Sequence, residues 1–100
     1  MAKFIECDIQ SNPKSDVEHF KFITNKMVEL FAKKNKDYGD SFTRSLENYG
    51  NIAGLVRISD KFNRLENLLL NGGQEVSDES VKDTLIDLAN YSIMLYMNIK

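Results

Sequence analysis

The chain of 100 residues is long enough for one domain, and with 42% hydrophobic and 28% charged residues its composition is that of a globular protein. Thirteen basic and fifteen acidic side chains give a net charge of −2, which excludes general binding to duplex nucleic acid, because such binding needs a surplus of Lys and Arg. The single cysteine excludes an internal disulfide, and no apolar run approaches the roughly 20 residues of a membrane helix, so we expect a soluble cytoplasmic protein without membrane contact.

Glycine and proline are few, and they leave three long segments in which neither occurs. Such segments predict an all-α fold, a small antiparallel bundle of three long helices and one short helix. We expect one helical domain over residues 1–100, with residues 1–14 as an N-terminal arm. The predicted helices cover about residues 16–36, 43–49, 52–71 and 78–99.

The first predicted helix has a start signal and an apolar face. Ser15 is followed three residues later by Glu18, the spacing of a capping box. His19 lies on the polar side of the helix and is expected at the surface. Apolar positions recur every three or four residues, which places them on one face. This face consists of Val17, Phe20, Thr24, Met27, Val28 and Phe31.

Residues 37–42 are predicted to form a loop, because Gly39 can take a positive φ angle and Asp and Ser are common in turns. Tyr38 and Phe42 are the aromatic residues of this loop. A ring beside a loop can stack on a nucleobase, or it can fill the core beneath the loop. Both interpretations stay open for these two residues.

The third predicted helix carries an apolar stripe and a basic row. The basic row consists of Arg57, Lys61 and Arg64, spaced by four and three residues, so these side chains share one side of the helix. Lys and Arg in such a row can bind phosphate oxygens, with Lys36 as a further candidate. The apolar stripe consists of Leu55, Ile58, Phe62, Leu65 and Leu69.

The last predicted helix begins near Ser77 or Asp78, either of which can cap it. Its second half is apolar on nearly every side, which is typical of a helix that is buried all round. In a chain of this length such a helix is either the central one or packs on a second subunit, so we expect a homo-oligomer formed through it. The main apolar face consists of Val81, Leu85, Leu88, Ser92, Leu95 and Ile99.

An acidic row also follows the last helix, where Glu79, Asp83 and Asp87 are spaced by four residues. Like charges at this spacing repel each other, so we expect another group to neutralise them. Mg²⁺ bound by the row together with Asp60 would do so, since this ion prefers oxygen ligands. Cations of the preceding helix would also do so.

The two helices are expected to form an antiparallel hairpin, with the acidic row facing the basic row across a cleft. A nucleoside phosphate with bridging Mg²⁺ would suit such a cleft, because Arg and Lys bind phosphates and carboxylates bind the metal. The alternative is that the charges form interhelical salt bridges or a solvated surface.

Three blocks of sequence, residues 34–42, 54–65 and 78–91, resemble the nucleotide modification associated domain family, type 1. The resemblance covers about residues 17–97. It implies a small helical protein of a phage or bacterium, located in the cytoplasm of the bacterial host if phage-encoded, with a role associated with nucleotide modification.

The third block is also similar to the last motif helix of MazG-like and dimeric dUTPase-like all-α nucleotide pyrophosphohydrolases. In those enzymes an E-x-x-D helix and an E-x-x-E helix hold Mg²⁺, and water attacks between phosphates. In this chain Asp60, Lys61 and Arg64 occupy the place of the E-x-x-E helix, and the later acidic residues are spaced by four.

Three hypotheses about function therefore stay open. The protein is a Mg²⁺-dependent nucleoside triphosphate pyrophosphohydrolase; or it is a non-catalytic phage nucleotide-binding protein that sequesters a nucleotide signal or assists a nucleotide-modifying partner; or it is a structural oligomer whose charges only join its helices.

Overall fold

The computed structural model describes residues 15–38, 41–72 and 77–99. The predicted arm, residues 1–14, lies outside this part of the chain. Within the described ranges there is no strand, so the all-α prediction is confirmed. No helix of these ranges has both the length and the hydropathy needed to cross a bilayer. The four helices are α1 (Asp16–Tyr38), α2 (Ser41–Tyr49), α3 (Asn51–Asn71) and α4 (Asp78–Asn98).

The predicted loop over residues 37–42 is wrong at both of its ends. Asp37 and Tyr38 belong to α1, and Ser41 and Phe42 belong to α2. Among the loop residues only Gly39 disfavours a helix strongly, and the buried position of Phe42 stabilises the first turn of α2. All other helix ends lie within one residue of their predicted positions.

Local hydrogen bonds explain where the helices begin. The Ser15 hydroxyl accepts a bond from the backbone N–H of Glu18 (3.1 Å), as the capping box predicts. At the start of α4 the Ser77 hydroxyl accepts a bond from the Ser80 N–H (3.1 Å), so Ser77 is the cap. Gly50 separates α2 from α3 with φ at 78°, a region that favours glycine, which lets the chain turn within one residue.

The chain divides into two compact units, one up to Lys33 and one from Lys34 onward. In the first unit the buried residues include His19 and Met27, whereas Val17, Phe20 and Val28 are exposed. The predicted surface position of His19 is therefore wrong. The buried face includes Met27 of the predicted apolar face but extends around the helix to His19, so it coincides with the predicted face only in part. Both faces carry apolar residues, so periodicity alone did not distinguish them.

In the second unit α3 packs along α4, and α2 packs on α3. Gly54 of α3 lies where the three helices meet. A Cβ atom at this position would come within 2.8 Å of Leu95 Cδ1 and 3.3 Å of Leu46 Cδ2. The absence of a side chain at Gly54 therefore allows α2 and α4 to approach the backbone of α3.

Candidate functional site

The basic row of α3 faces α4, and each of its members contacts one residue of that helix. The residue numbers in each contact have the same sum, 148, which is the register of two antiparallel helices. This register confirms the predicted antiparallel hairpin. The three contacts are Arg57–Tyr91, Lys61–Asp87 and Arg64–Thr84.

Asp87 forms ion pairs with two lysines. Lys61 Nζ lies 3.1 Å from one of its carboxylate oxygens, and Lys34 Nζ lies 3.6 Å from the other. The side chains of Lys61 and Asp87 are 29% and 27% exposed, so this pair is only partly open to water. The predicted site did not include Lys34, because nothing in the sequence connects position 34 with position 87. The three groups together carry a net charge of +1.

Arg57 lies against two aromatic rings. Its guanidinium carbon is 5.8 Å from the ring centroid of Phe42 and 5.8 Å from that of Tyr91. The two rings lie 5.3 Å apart, so they and the cation form one cluster. Phe42 is only 5% exposed, and its ring is surrounded by protein. The predicted stacking of Phe42 on a nucleobase does not fit this position, whereas the alternative of filling the core does.

Arg64 is held by a buried hydroxyl. Its Nε–H donates a hydrogen bond to Thr84 Oγ1 (3.3 Å), and Thr84 in turn donates to the backbone oxygen of Ser80 (2.8 Å). Thr84 is only 2% exposed, whereas Arg64 is an exposed residue. The bond at Nε therefore orients the guanidinium of a side chain that is otherwise exposed.

Only one residue of the acidic row meets the basic row. Asp87 does so, but Asp83 and Glu79 are exposed. Residues that contact a neighbouring helix are spaced alternately by three and four along the chain, which keeps them on one side of their own helix. Residues spaced always by four, as in the acidic row, move around the helix axis by about 40° at each step. Asp83 and Glu79 are therefore turned progressively away from the contact line. The expectation that the whole row faces α3 is wrong for these two residues.

The predicted metal ligands do not come together. In the part of the chain that the structure describes, no three side chains of His, Cys, Asp or Glu are close enough to hold a metal ion as a group. Asp60 is exposed on α3. A protein-only site built from Glu79, Asp83, Asp87 and Asp60 is therefore not formed in this structure.

Two further site candidates, Lys36 and Tyr38, lie in the last turn of α1. Their side chains fall outside the described part of the chain. Phosphate binding by Lys36 and base stacking by Tyr38 therefore stay predictions.

Comparison with known proteins points to one family. Residues 34–99 match the family model described as nucleotide modification associated domain 1. This range coincides with the second compact unit, which contains the basic row and the hairpin. Searches among curated proteins and among solved structures gave no match. Because the family model covers about two thirds of the chain, the protein belongs to the nucleotide modification associated domain 1 family.

Proposed function

We propose that this domain binds the phosphate groups of a nucleotide at the basic row of α3 together with Lys34. The observation that carries the proposal is the sharing of Asp87 by two lysines, at 3.1 and 3.6 Å. One carboxylate neutralises one of the two cations, so a positive charge is left over at a partly exposed position. A phosphate group supplies the missing negative charge.

The flanking arginines strengthen this argument. Arg57 is fixed against two rings and Arg64 is fixed at Nε, so both guanidinium groups are oriented before a ligand arrives. An oriented guanidinium loses less entropy on binding, and its remaining N–H groups can bind phosphate oxygens in pairs. The row therefore concentrates positive charge in a chain whose net charge is −2.

The family description supports a nucleotide as the source of the phosphates. The base would be bound by residues other than Phe42, which is buried. Tyr38 stays the candidate from the predicted pair, since it belongs to the same family-matched range as the basic row.

Magnesium-dependent pyrophosphate release, as in the MazG-like enzymes, is a second candidate. It is favoured by the exposed position of Asp83, one helical turn before Asp87. Mg²⁺ usually binds through one or two carboxylates together with the substrate's phosphates, so these two aspartates fit an ion that arrives with a nucleotide. This form of the proposal requires Mg²⁺ for binding, whereas the metal-free form does not.

Thermal unfolding and calorimetry with a panel of ligands test the proposal. The wild-type protein is mixed with nucleoside mono-, di- and triphosphates and with pyrophosphate, in EDTA and in Mg²⁺. At one hundred times the Kd a ligand adds about 2.7 kcal/mol to the unfolding free energy, which raises Tm by about 10 °C or more for a chain of this size. We expect stabilisation in EDTA that increases with the number of phosphates.

Matched arginine variants localise the binding. Arg64→Gln should weaken nucleotide binding about tenfold, because it removes one charge-assisted contact. Arg44→Gln is the control, since it makes the same change at an exposed position of α2, two residues after Phe42 and on the opposite side of that helix.

The outcomes separate the three hypotheses. If no nucleotide raises Tm in either buffer, the charges only join the helices and the proposal is wrong. Pyrophosphate release that needs Mg²⁺ and disappears in Asp83→Asn would establish the enzyme. Binding in EDTA without turnover would establish the non-catalytic protein.

A further inference from the structure

The hairpin of α3 and α4 has an apolar side that the described chain leaves uncovered. Six large side chains on this side are between 44% and 80% exposed. We call this surface the open face. It consists of Leu55, Phe62 and Leu69 of α3, Leu85 and Tyr96 of α4, and Ile99, which directly follows α4.

The helical register places the five helical members of the open face on the same side of the hairpin, and Ile99 directly follows α4. On α3, Leu55 and Phe62 each follow by one position a residue of the contact line, Gly54 and Lys61. On α4, Leu85 follows Thr84 in the same way. A step of one residue turns a side chain by about 100° around the helix axis, away from the line of contact between α3 and α4. Because the two helices are antiparallel, this turn brings the side chains of α3 and those of α4 to the same side of the hairpin. The open face is therefore continuous across both helices.

The open face is larger than a small monomer usually exposes. From their exposed fractions, the six side chains present on the order of 600–700 Å² of surface. The largest apolar patch of a typical monomer is about 300–600 Å², whereas each partner of a stable interface buries about 800 Å². The six residues together with their polar margin reach the size of an interface.

We infer that the open face is the contact surface of a symmetric homodimer. Leu55, Phe62 and Leu69 are spaced by seven residues, a heptad repeat that packs against a helix with the same pattern. Both helices of the hairpin are 21 residues long, so two hairpins would form a four-helix bundle of matched length. A two-fold interface needs a self-complementary surface, and six uncharged apolar side chains provide one.

Sedimentation equilibrium of the full chain and three variants tests the inference. We expect the wild type at twice the chain mass of 11.5 kDa and Phe62→Glu at the chain mass. Val56→Glu is the matched control, because Val56 is 51% exposed against 53% for Phe62 but lies about 120° around the same helix. Tyr96→Glu repeats the test from α4, should Phe62→Glu fail to fold by circular dichroism.

Each outcome is decisive. Dissociation by Phe62→Glu or Tyr96→Glu, with Val56→Glu still dimeric, supports the open face as the interface. A wild type that stays monomeric at high micromolar concentration overturns the inference, as does a dimer that survives both face variants. A dimer that Val56→Glu also dissociates overturns the assignment to this surface.

Discussion

Replacing Asp87 by Asn separates the stabilising role of this carboxylate from its effect on ligand binding. Asn has nearly the same shape, but it leaves Lys34 and Lys61 without the charge that they share at 3.6 and 3.1 Å. The neutral amide removes both ion pairs, and two ammonium groups are left close together.

The distances and exposures set the size of the effect. Fully exposed ion pairs contribute about 0.2–1 kcal/mol, whereas breaking a fully buried pair costs about 3–5 kcal/mol. The Lys61–Asp87 pair lies between these limits, because both side chains are less than a third exposed, and Lys34 adds little because its side chain is 52% exposed. We therefore expect Asp87→Asn to lower the unfolding free energy by about 1–2 kcal/mol and Tm by about 5–10 °C.

The same substitution lowers the stability of the fold but should strengthen ligand binding in the absence of metal. Without Asp87 the local charge becomes more positive, so phosphate binding in EDTA should become several-fold tighter, and the gain should fall as salt screens the charges. If the nucleotide binds only through Mg²⁺ on Asp87, the variant should instead bind more weakly in Mg²⁺ buffer.

Thermal unfolding and calorimetry measure both quantities, with Asp83→Asn as the control. Asp83 is exposed, so its substitution should change stability by no more than about 0.5 kcal/mol. Equal stability of Asp87→Asn and the wild type would refute the assigned role of the ion pairs. Weaker binding of Asp87→Asn in EDTA would refute the electrostatic basis of the proposed phosphate site.

Three further substitutions test the packing and capping of the helices. Thr84→Val keeps the buried shape but removes the partner of Arg64 Nε, so the urea midpoint should fall by the equivalent of about 1 kcal/mol. Gly54→Leu should destabilise the fold by at least about 2 kcal/mol in the same assay, because even a Cβ atom would lie 2.8 Å from Leu95 Cδ1. Ser77→Ala removes the cap of α4 and should cost about 1 kcal/mol, whereas Ser77→Asp, which can also cap, should not.

Part of the candidate site was predictable from the sequence. The spacing of the basic row is a local property, and the structure places all three of its members along one line of contact with α4. The spacing of Glu79, Asp83 and Asp87 is equally regular, but regular spacing does not show which side of a helix meets its neighbour. The contact line follows Thr84, Asp87 and Tyr91, and only one member of the acidic row lies on it.

The sequence by itself determined the four helices and their limits except at the junction of α1 and α2, because helix starts, caps and breaks depend on residues a few positions apart, such as Ser15 with Glu18 or the single Gly50 between α2 and α3. Only the tertiary structure decided that Lys34 reaches Asp87, that Phe42 is buried beside Arg57, and that Leu55, Phe62 and Leu69 of the apolar stripe of α3 are left exposed. These results depend on the register between helices that are distant in the chain, and several faces of each helix carry enough apolar residues to be buried. Packing between helices, rather than the residue pattern along any one of them, decided which face of each helix is buried.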